Sequence, residues 1–351
     1  MNKKCTCNLI LVTALVASGW ISGCAGRNVS ILVTRPAEIN LSEYERITIG
    51  EIRGAGSGFV SKLDDLGKFL QGVESRDSWI RRFAAEMSRA LARSDRFELL
   101  DYESLKAGHS REDDNGNVVL ISGAILAYDY DEEEIVEDVQ KKNRKTEKGA
   151  AGQKYKRKGT AHVEVQLKVV DLRTSRILAS RNLSRRETMR TSGETPAKAR
   201  IDNAARRRLF AECRSDIVRA IERMIVPYTE RVNVSFETAK EMPELERGFR
   251  MVQAGNWDGA VNVFQEATEA YSRSPEVHKA YYNLGLSYMY SDRFDRARAA
   301  LREANARKSS GKYRNAILEL GRREEEKRRL DDQTRTDQGT DPDDTATTEE
   351  Q

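Results

Sequence analysis

Residues 160–178 read TAHVEVQLKVVDLRTSRIL, and their alternation decides the fold. Ala161, Val163, Val165, Leu167 and Val169 fall on one side of an extended chain, while Thr160, His162, Glu164, Gln166 and Lys168 fall on the other. A period of two with a single apolar side predicts a strand in a sheet covered on one face only. Asp171 to Ser175 supplies turn residues, and Ile177 to Ser180 pairs back as a hairpin.

Working upstream, Arg46 to Ile52 alternates with Ile47 and Ile49 inward, which predicts a strand that stops at the glycines of 54–58. Those glycines fit neither the dinucleotide nor the phosphate-loop spacing and read as a turn. Residues 76–94 repeat apolar side chains every three or four positions (Trp79, Ile80, Phe83, Met87, Ala90, Leu91), an amphipathic helix with Asp77 or Ser78 as its cap. Strands follow at 97–100 and 118–126. Residues 129–158 are acidic first and basic second, and read as a solvated excursion whose basic half offers an alternative contact for anionic lipid or glycan. Downstream, a helix over 198–226 carries Leu209, Cys213, Ile217, Ile221 and Met224 in one stripe and ends at Pro227. Cys213 is a small core residue in that stripe. The order is β-α-β-β-β-β-α, an α/β (α+β) domain with helices packed on its sheet.

A second kind of periodicity begins near residue 241. Ala260, Phe264 and Ala267 recur as Ala297, Leu301 and Ala304 at a shift of 37. Tyr281, Leu284, Gly285 and Tyr288 stand at the W-x-x-L-G-x-x-Y spacing of a tetratricopeptide repeat, and Gly248 takes the glycine position of the first unit. Small residues let paired helices approach and large ones fill the gap. The expected second domain is therefore all-α, residues 241–330, two helical hairpins with a capping helix from about 312. The resemblance to tetratricopeptide stacks implies a peptide groove faced by Phe249, Lys279, Tyr282 and Met289, with packing against the first domain as the alternative. Residues 331–351 hold eight acids against Arg335 alone and read as a disordered acidic tail.

The N-terminus sets the expected location. Lys3 and Lys4 precede a short apolar run, too short to span a bilayer, and Ile21-Ser22-Gly23-Cys24 follows. This resembles the lipobox of bacterial lipoproteins. The resemblance implies a signal peptide over 1–23, diacylglycerol on the Cys24 thiol, and a fatty acyl chain such as palmitate on the new amine. Ala25 in place of Asp implies outer-membrane sorting. Residues 24–42 would be a membrane-proximal spacer. Cleavage removes Cys5 and Cys7, leaving Cys213 as the one thiol and excluding an internal disulfide. Losing Lys3 and Lys4 also takes the formal charge from +4 to +2, so no global charge draws the chain to nucleic acid.

Four landmarks make residues 43–232 resemble the CsgG-like family of bacterial lipoproteins, known for curli assembly. They are Arg46 to Ile49; the helix running into Ser94-Asp95-Arg96-Phe97-Glu98-Leu99-Leu100-Asp101; Leu120 to Ile125 with Gly123; and Val163 to Thr174 leading to Ile177. These are packing and turn residues, so they speak to fold. The family implies a homo-oligomeric export channel whose subunits each donate membrane hairpins. Residues 129–158 have almost no alternating apolar positions, and the apolar spacing within 54–75 suits a helix better.

No H-E-x-x-H, G-x-S-x-G or mature C-x-x-C occurs, and His109, His162 and His278 stand far apart. Catalytic, metal and cofactor-binding residues are therefore not expected. The expected protein is a non-enzymatic outer-membrane lipoprotein on the periplasmic side, held to the membrane by its lipid. Its repeats would recruit envelope protein partners as a scaffold. Export channel and activator of a cell-wall synthase are the alternatives.

Overall fold

The computed structural model describes residues 27–54, 75–107, 117–141 and 150–335. They form two compact units: a sheet unit of residues 33–230 with 325–335, and a helical unit of 27–32 with 231–324. Strand β1 (Arg27–Arg35) occupies what read as a polar spacer, and pairs with β7 (Tyr228–Phe236) in a two-stranded sheet.

The sheet unit is mixed α/β. Its five strands are β2 (Arg46–Gly54), β3 (Glu98–Leu100), β4 (Val118–Lys141), β5 (Ala150–Asp171) and β6 (Ile177–Gly193), in the order β3-β2-β4-β5-β6. β2 runs parallel to both neighbours, whereas β4–β5 and β5–β6 are antiparallel. Helices α1 (Arg76–Ala92) and α3 (Asn203–Ile225) cover one face, and the five-residue α2 (Tyr102–Lys106) follows β3. The α1 cap is Ser75, whose hydroxyl accepts from the Ser78 amide, not Asp77 or Ser78.

The alternating residues of β5 behave as their period dictates. Ala161, Val163, Val165, Leu167 and Val169 are buried, and the core between sheet and helices closes on them. Trp79 of α1 donates from its indole to the Phe210 carbonyl of α3 at 3.1 Å, stacks on Phe83, and meets Tyr128 edge-on; Tyr128 stacks on Phe210 at 4.3 Å. Cys213 is fully buried among them, and burial pushes its thiol up to about 12, as suits an inert core residue.

Of the stretch expected as an excursion, the described residues 129–141 and 150–158 instead continue the ladder, and 142–149 lie outside the described residues. β4 and β5 stay in register out to Lys141 opposite Ala150. The cause is charge complementarity across the strands, where oppositely charged pairs are favourable neighbours. Arg157 donates to Glu132 at 2.9 Å and Glu134 at 2.6 Å; Lys156 reaches Glu137 at 2.5 Å. A register shift between Ile125 and Ala127 leaves Leu126 as an extra, exposed residue. Beyond it the helix-facing side of β4 passes from odd to even positions: Tyr128, Tyr130, Glu132. There Arg206 of α3 joins Glu132 at 2.8 Å and lies over the Tyr130 ring. Burial works to raise the Glu132 carboxyl, but bonds from Arg157, Tyr130 and Arg206 outweigh it and hold the pKa below the ordinary value.

The helical unit contains α4 (Pro243–Gln253), α5 (Trp257–Ala270), α6 (Val277–Tyr290), α7 (Phe294–Arg307) and most of α8 (Gly311–Thr334). α8 runs four residues into the stretch expected as a tail. In the sheet unit, its last turn is tied down by Gln333, which exchanges two hydrogen bonds with the backbone of Ala37. The 37-residue repeat has a matching geometry. A Cβ on Gly248 would lie 2.4 Å from the Phe264 ring, and one on Gly285 2.6 Å from Leu301. Ala260, Ala267, Ala297 and Ala304 flank these contacts and are fully buried.

Because the Leu301 side chain and backbone stand against Gly285, Gly285→Val is expected to lower stability by ~1–3 kcal/mol or more through overpacking. Gly321 of α8 has open space about it, so Gly321→Ala is expected to raise stability by about 0.5–1 kcal/mol. Urea unfolding midpoints at constant slope check both; equal effects at the two glycines would refute the interlock.

Candidate functional site

The residues expected to face a groove lie on or behind the inner wall formed by α4 and α6, and all four are buried: Phe249, Lys279, Tyr282 and Met289. They do not line open space, because the chain's own residues 236–238 lie on this wall. Phe236, fully buried, comes within 6.0 Å of the Phe249 ring and stacks on Phe264 at 6.1 Å. The next residue is held through its backbone. Asn283 accepts from the Glu237 amide at 2.8 Å and donates to the Glu237 carbonyl at 2.8 Å. Lys279 then donates to the Thr238 carbonyl at 3.3 Å while pairing with Glu276 at 2.6 Å. A primary amide on a helix thus does for an extended segment what a neighbouring strand does in a sheet.

The Glu237 side chain is fixed as firmly as its backbone. Tyr313 of α8 donates to its carboxylate at 2.6 Å, and Lys312 does so at 3.2 Å while sitting 4.5 Å over the Tyr282 ring. The Tyr313 oxygen also stands 2.6 Å from His278 Nδ1. A carboxylate can only accept, so the tyrosine proton points to Glu237 and His278 donates from Nδ1. The remaining nitrogen, Nε2, has no hydrogen-bond partner among the described residues. Burial, then Lys308, pushes the His278 pKa below its ordinary value, against the pull of Glu276 and Glu237. Burial and the Glu237 bond push the Tyr313 hydroxyl far up.

Asn283, Glu237, Tyr313 and His278 do not stand out in the tetratricopeptide register. One signal was present: an Asn in mid-helix, flanked by apolar residues, is a poor helix former whose amide needs a partner. The wall can hold an extended backbone and one carboxylate. Among the described residues no group of three or more His, Cys, Asp or Glu is placed to hold a metal ion. His162 lies on the polar face of β5, 3.0 Å from Ser184. Cys24 and His109 lie outside the described residues.

No protein-family model matches the chain, and no curated protein matches it. Solved structures that resemble it include two of the PelC dodecamer from Paraburkholderia phytofirmans. One, in space group C2, is a single-substitution variant (10% identity, 56% of this chain, 98% of that one, TM-score 0.27); the other, in space group P6, is also 10% identical (57% and 99%, TM-score 0.26). A third is a putative neuraminyllactose-binding hemagglutinin homolog from Helicobacter pylori, at 14% identity, 54% and 86% coverage and TM-score 0.28. These are distantly related folds at most.

Two measurements follow from the wall. Asn283→Ala strands the Glu237 amide and carbonyl, and is expected to cost about 2 kcal/mol or more in urea unfolding; a loss under about 0.5 kcal/mol would show the clamp to be idle. His278 keeps a lower pKa when folded than the ordinary 6.5, so the unfolded chain binds more protons as pH falls below that value. Stability is therefore full above about pH 6.5 and declines below it toward the folded pKa. His278→Gln is expected to flatten this slope between pH 7 and 5, read as thermal midpoints.

Proposed function

We propose that this protein is a non-enzymatic lipoprotein of the outer membrane, facing the periplasm, that works as a protein-binding scaffold or assembly factor. In this reading the sheet unit is CsgG-like, the helical unit is a short tetratricopeptide stack, and Cys24 carries the lipid. The observation that carries it is the repeated helical hairpin, with Gly248 against Phe264 and Gly285 against Leu301, 37 residues apart. Such hairpins offer two walls. Here the inner one already holds residues 236–238, so partners are taken on the outer faces, and substitutions at Lys279 or Tyr282 act on stability before they act on binding.

The export-channel reading has less support. The distal β4–β5 ladder carries Glu133 and Glu137 on one side and Glu132 and Glu134 on the other, with Lys158, Lys154 and Arg157 opposite Glu133, Glu137 and Glu134. A strand facing lipid needs an apolar side, and neither side here is apolar.

Two measurements test the proposal. Cys24→Ala is expected to release the protein from membranes into the soluble fraction; retention would remove the lipid anchor. Light scattering of the full chain in mild detergent is expected to give one or two copies of the 39.8 kDa polypeptide. A uniform ring of many copies would overturn the scaffold in favour of the channel.

A further inference from the structure

The edge strand of the sheet, β6, and helix α3 leave between them a cleft of about 420 Å³ with an unbalanced charge. Arg181 and Arg185 enter it from β6, and Arg219 and Arg223 from α3, against the carboxylates of Asp216 and Glu38. Arg219 pairs with Asp216 at 2.5 Å. Arg223 lies 4.7 Å over the Tyr228 ring, while Arg181 and Arg185 each donate to the carbonyl of the preceding residue. Arg181, Arg185 and Arg223 have no ion-pair partner among the described residues. That sets them apart from Arg157 and Arg206, which share Glu132 in the same unit.

The chain's last described residues are moored beside the cleft, at Ala37 and the cleft residue Glu38. Gln333 bonds both the amide and the carbonyl of Ala37, and Arg329 donates to the carbonyls of Ala37 (2.6 Å) and Glu38 (3.2 Å). Glu38 is itself part of the cleft wall, and the Ile39 amide donates to the carbonyl of Met224, another wall residue. The sequence that continues from this point, residues 336–351, contains Asp337, Asp341, Asp343, Asp344, Glu349 and Glu350, and no Lys or Arg. Asp337 is four positions on from Gln333, a reach of roughly 13 Å, and the whole segment can extend roughly 50 Å.

We propose that the cleft is a binding site for an acidic peptide and that its occupant is the chain's own segment 336–351. Tethering makes the match sufficient: a linker of a few residues gives an effective concentration on the order of mM, so individually weak arginine–carboxylate contacts are occupied without a tight intrinsic site. Held there, the segment neutralises the basic edge of the sheet and shields the edge strand β6, whose outer side pairs with no strand among the described residues. An acidic ligand from outside has to displace it.

The test is fluorescence anisotropy of a labelled peptide of sequence 336–351, added to the full chain in mild detergent. Three proteins are compared: the native chain, a chain whose six acids in 336–351 are changed to Asn or Gln, and that neutral-tailed chain with Arg181→Gln, Arg185→Gln and Arg223→Gln. The expected result is affinity roughly ten-fold or more higher for the neutral-tailed chain than for the native one, because its competitor is gone. That gain should vanish in the arginine variant and return partly when the same three positions are Lys. Unchanged thermal midpoints confirm that all variants fold. Equal affinity for native and neutral-tailed chains would overturn the proposal. So would binding that persists without the three arginines. Arginine-dependent binding of phosphatidylglycerol vesicles by the native chain, with no peptide bound by any of them, would assign the cleft to lipid and also overturn it.

Discussion

Strand β5 is paired on both sides along almost its whole length, and the sheet unit is built against its odd-numbered face. That face must be buried because Val163, Val165, Leu167 and Val169 lose roughly 1.5–3 kcal/mol each if left in water. Two helices meet the need, and they are locked to each other as well as to the sheet. The Trp79 indole has one donor, and it is spent on a carbonyl of α3 at 3.1 Å, so a large aromatic is buried without stranding a polar group. Moving either helix would break that bond and the Tyr128–Phe210 stack together.

The same constraint explains where the sequence stopped being readable. Over 160–170 the period of two is clean because both flanking strands are in register and one face is apolar. In β4 the extra residue at Leu126 switches the inward side from odd to even positions, so an alternation followed past 125 points the wrong way. Past Tyr128 and Tyr130 the inward side turns polar at Glu132, and hydrophobicity gives no signal there. What remained was a run of acids followed by a run of bases. Read as one segment, it looks like a solvated charge block. Read as two antiparallel strands, three of the acids face a base directly: Glu133 opposite Lys158, Glu134 opposite Arg157, and Glu137 opposite Lys154. Charge order along a chain is a pairing signal when the two blocks lie on antiparallel neighbours.

In the helical unit the legible part was local. A glycine and a large residue at a fixed offset within a hairpin, repeated 37 residues later, specify one close helix contact each, and both are found. The wall's occupant was not legible. Residues 236–238 carry no period that marks them for a helix pair, and the Asn283 amide is 46 residues from its partner in the chain. Register places residues on a wall, yet it says nothing about whether that wall is open. Asn283 decides that: its amide satisfies an amide and a carbonyl of one residue at once, and a buried primary amide without such a partner would be costly.

The charges of the sheet unit sort into two populations, and the difference carries meaning that net charge hides. Glu132 gathers Arg157, Arg206 and the Tyr130 hydroxyl, and the Tyr130 pKa rises to about 12 through burial and that carboxylate. With Glu134, which also holds Arg157, this lattice balances its charges and is largely shielded from water, so it fixes the two strands against the helix and leaves little field outside. Arg181 and Arg185 stand at the edge of the same sheet, in a cleft whose described carboxylates are Asp216 and Glu38. A formal charge of +4 spread over 351 residues gives no hint of this asymmetry. Exposed arginines on an edge strand discourage a second chain from pairing there, which accounts for their presence on β6. It does not account for their convergence with two arginines from α3 on one cleft, beside the mooring of an acidic segment. Protection of an edge needs charge anywhere along the strand, whereas a shared cleft needs charge from two elements at one place, and recognition of an anion is the constraint that asks for both.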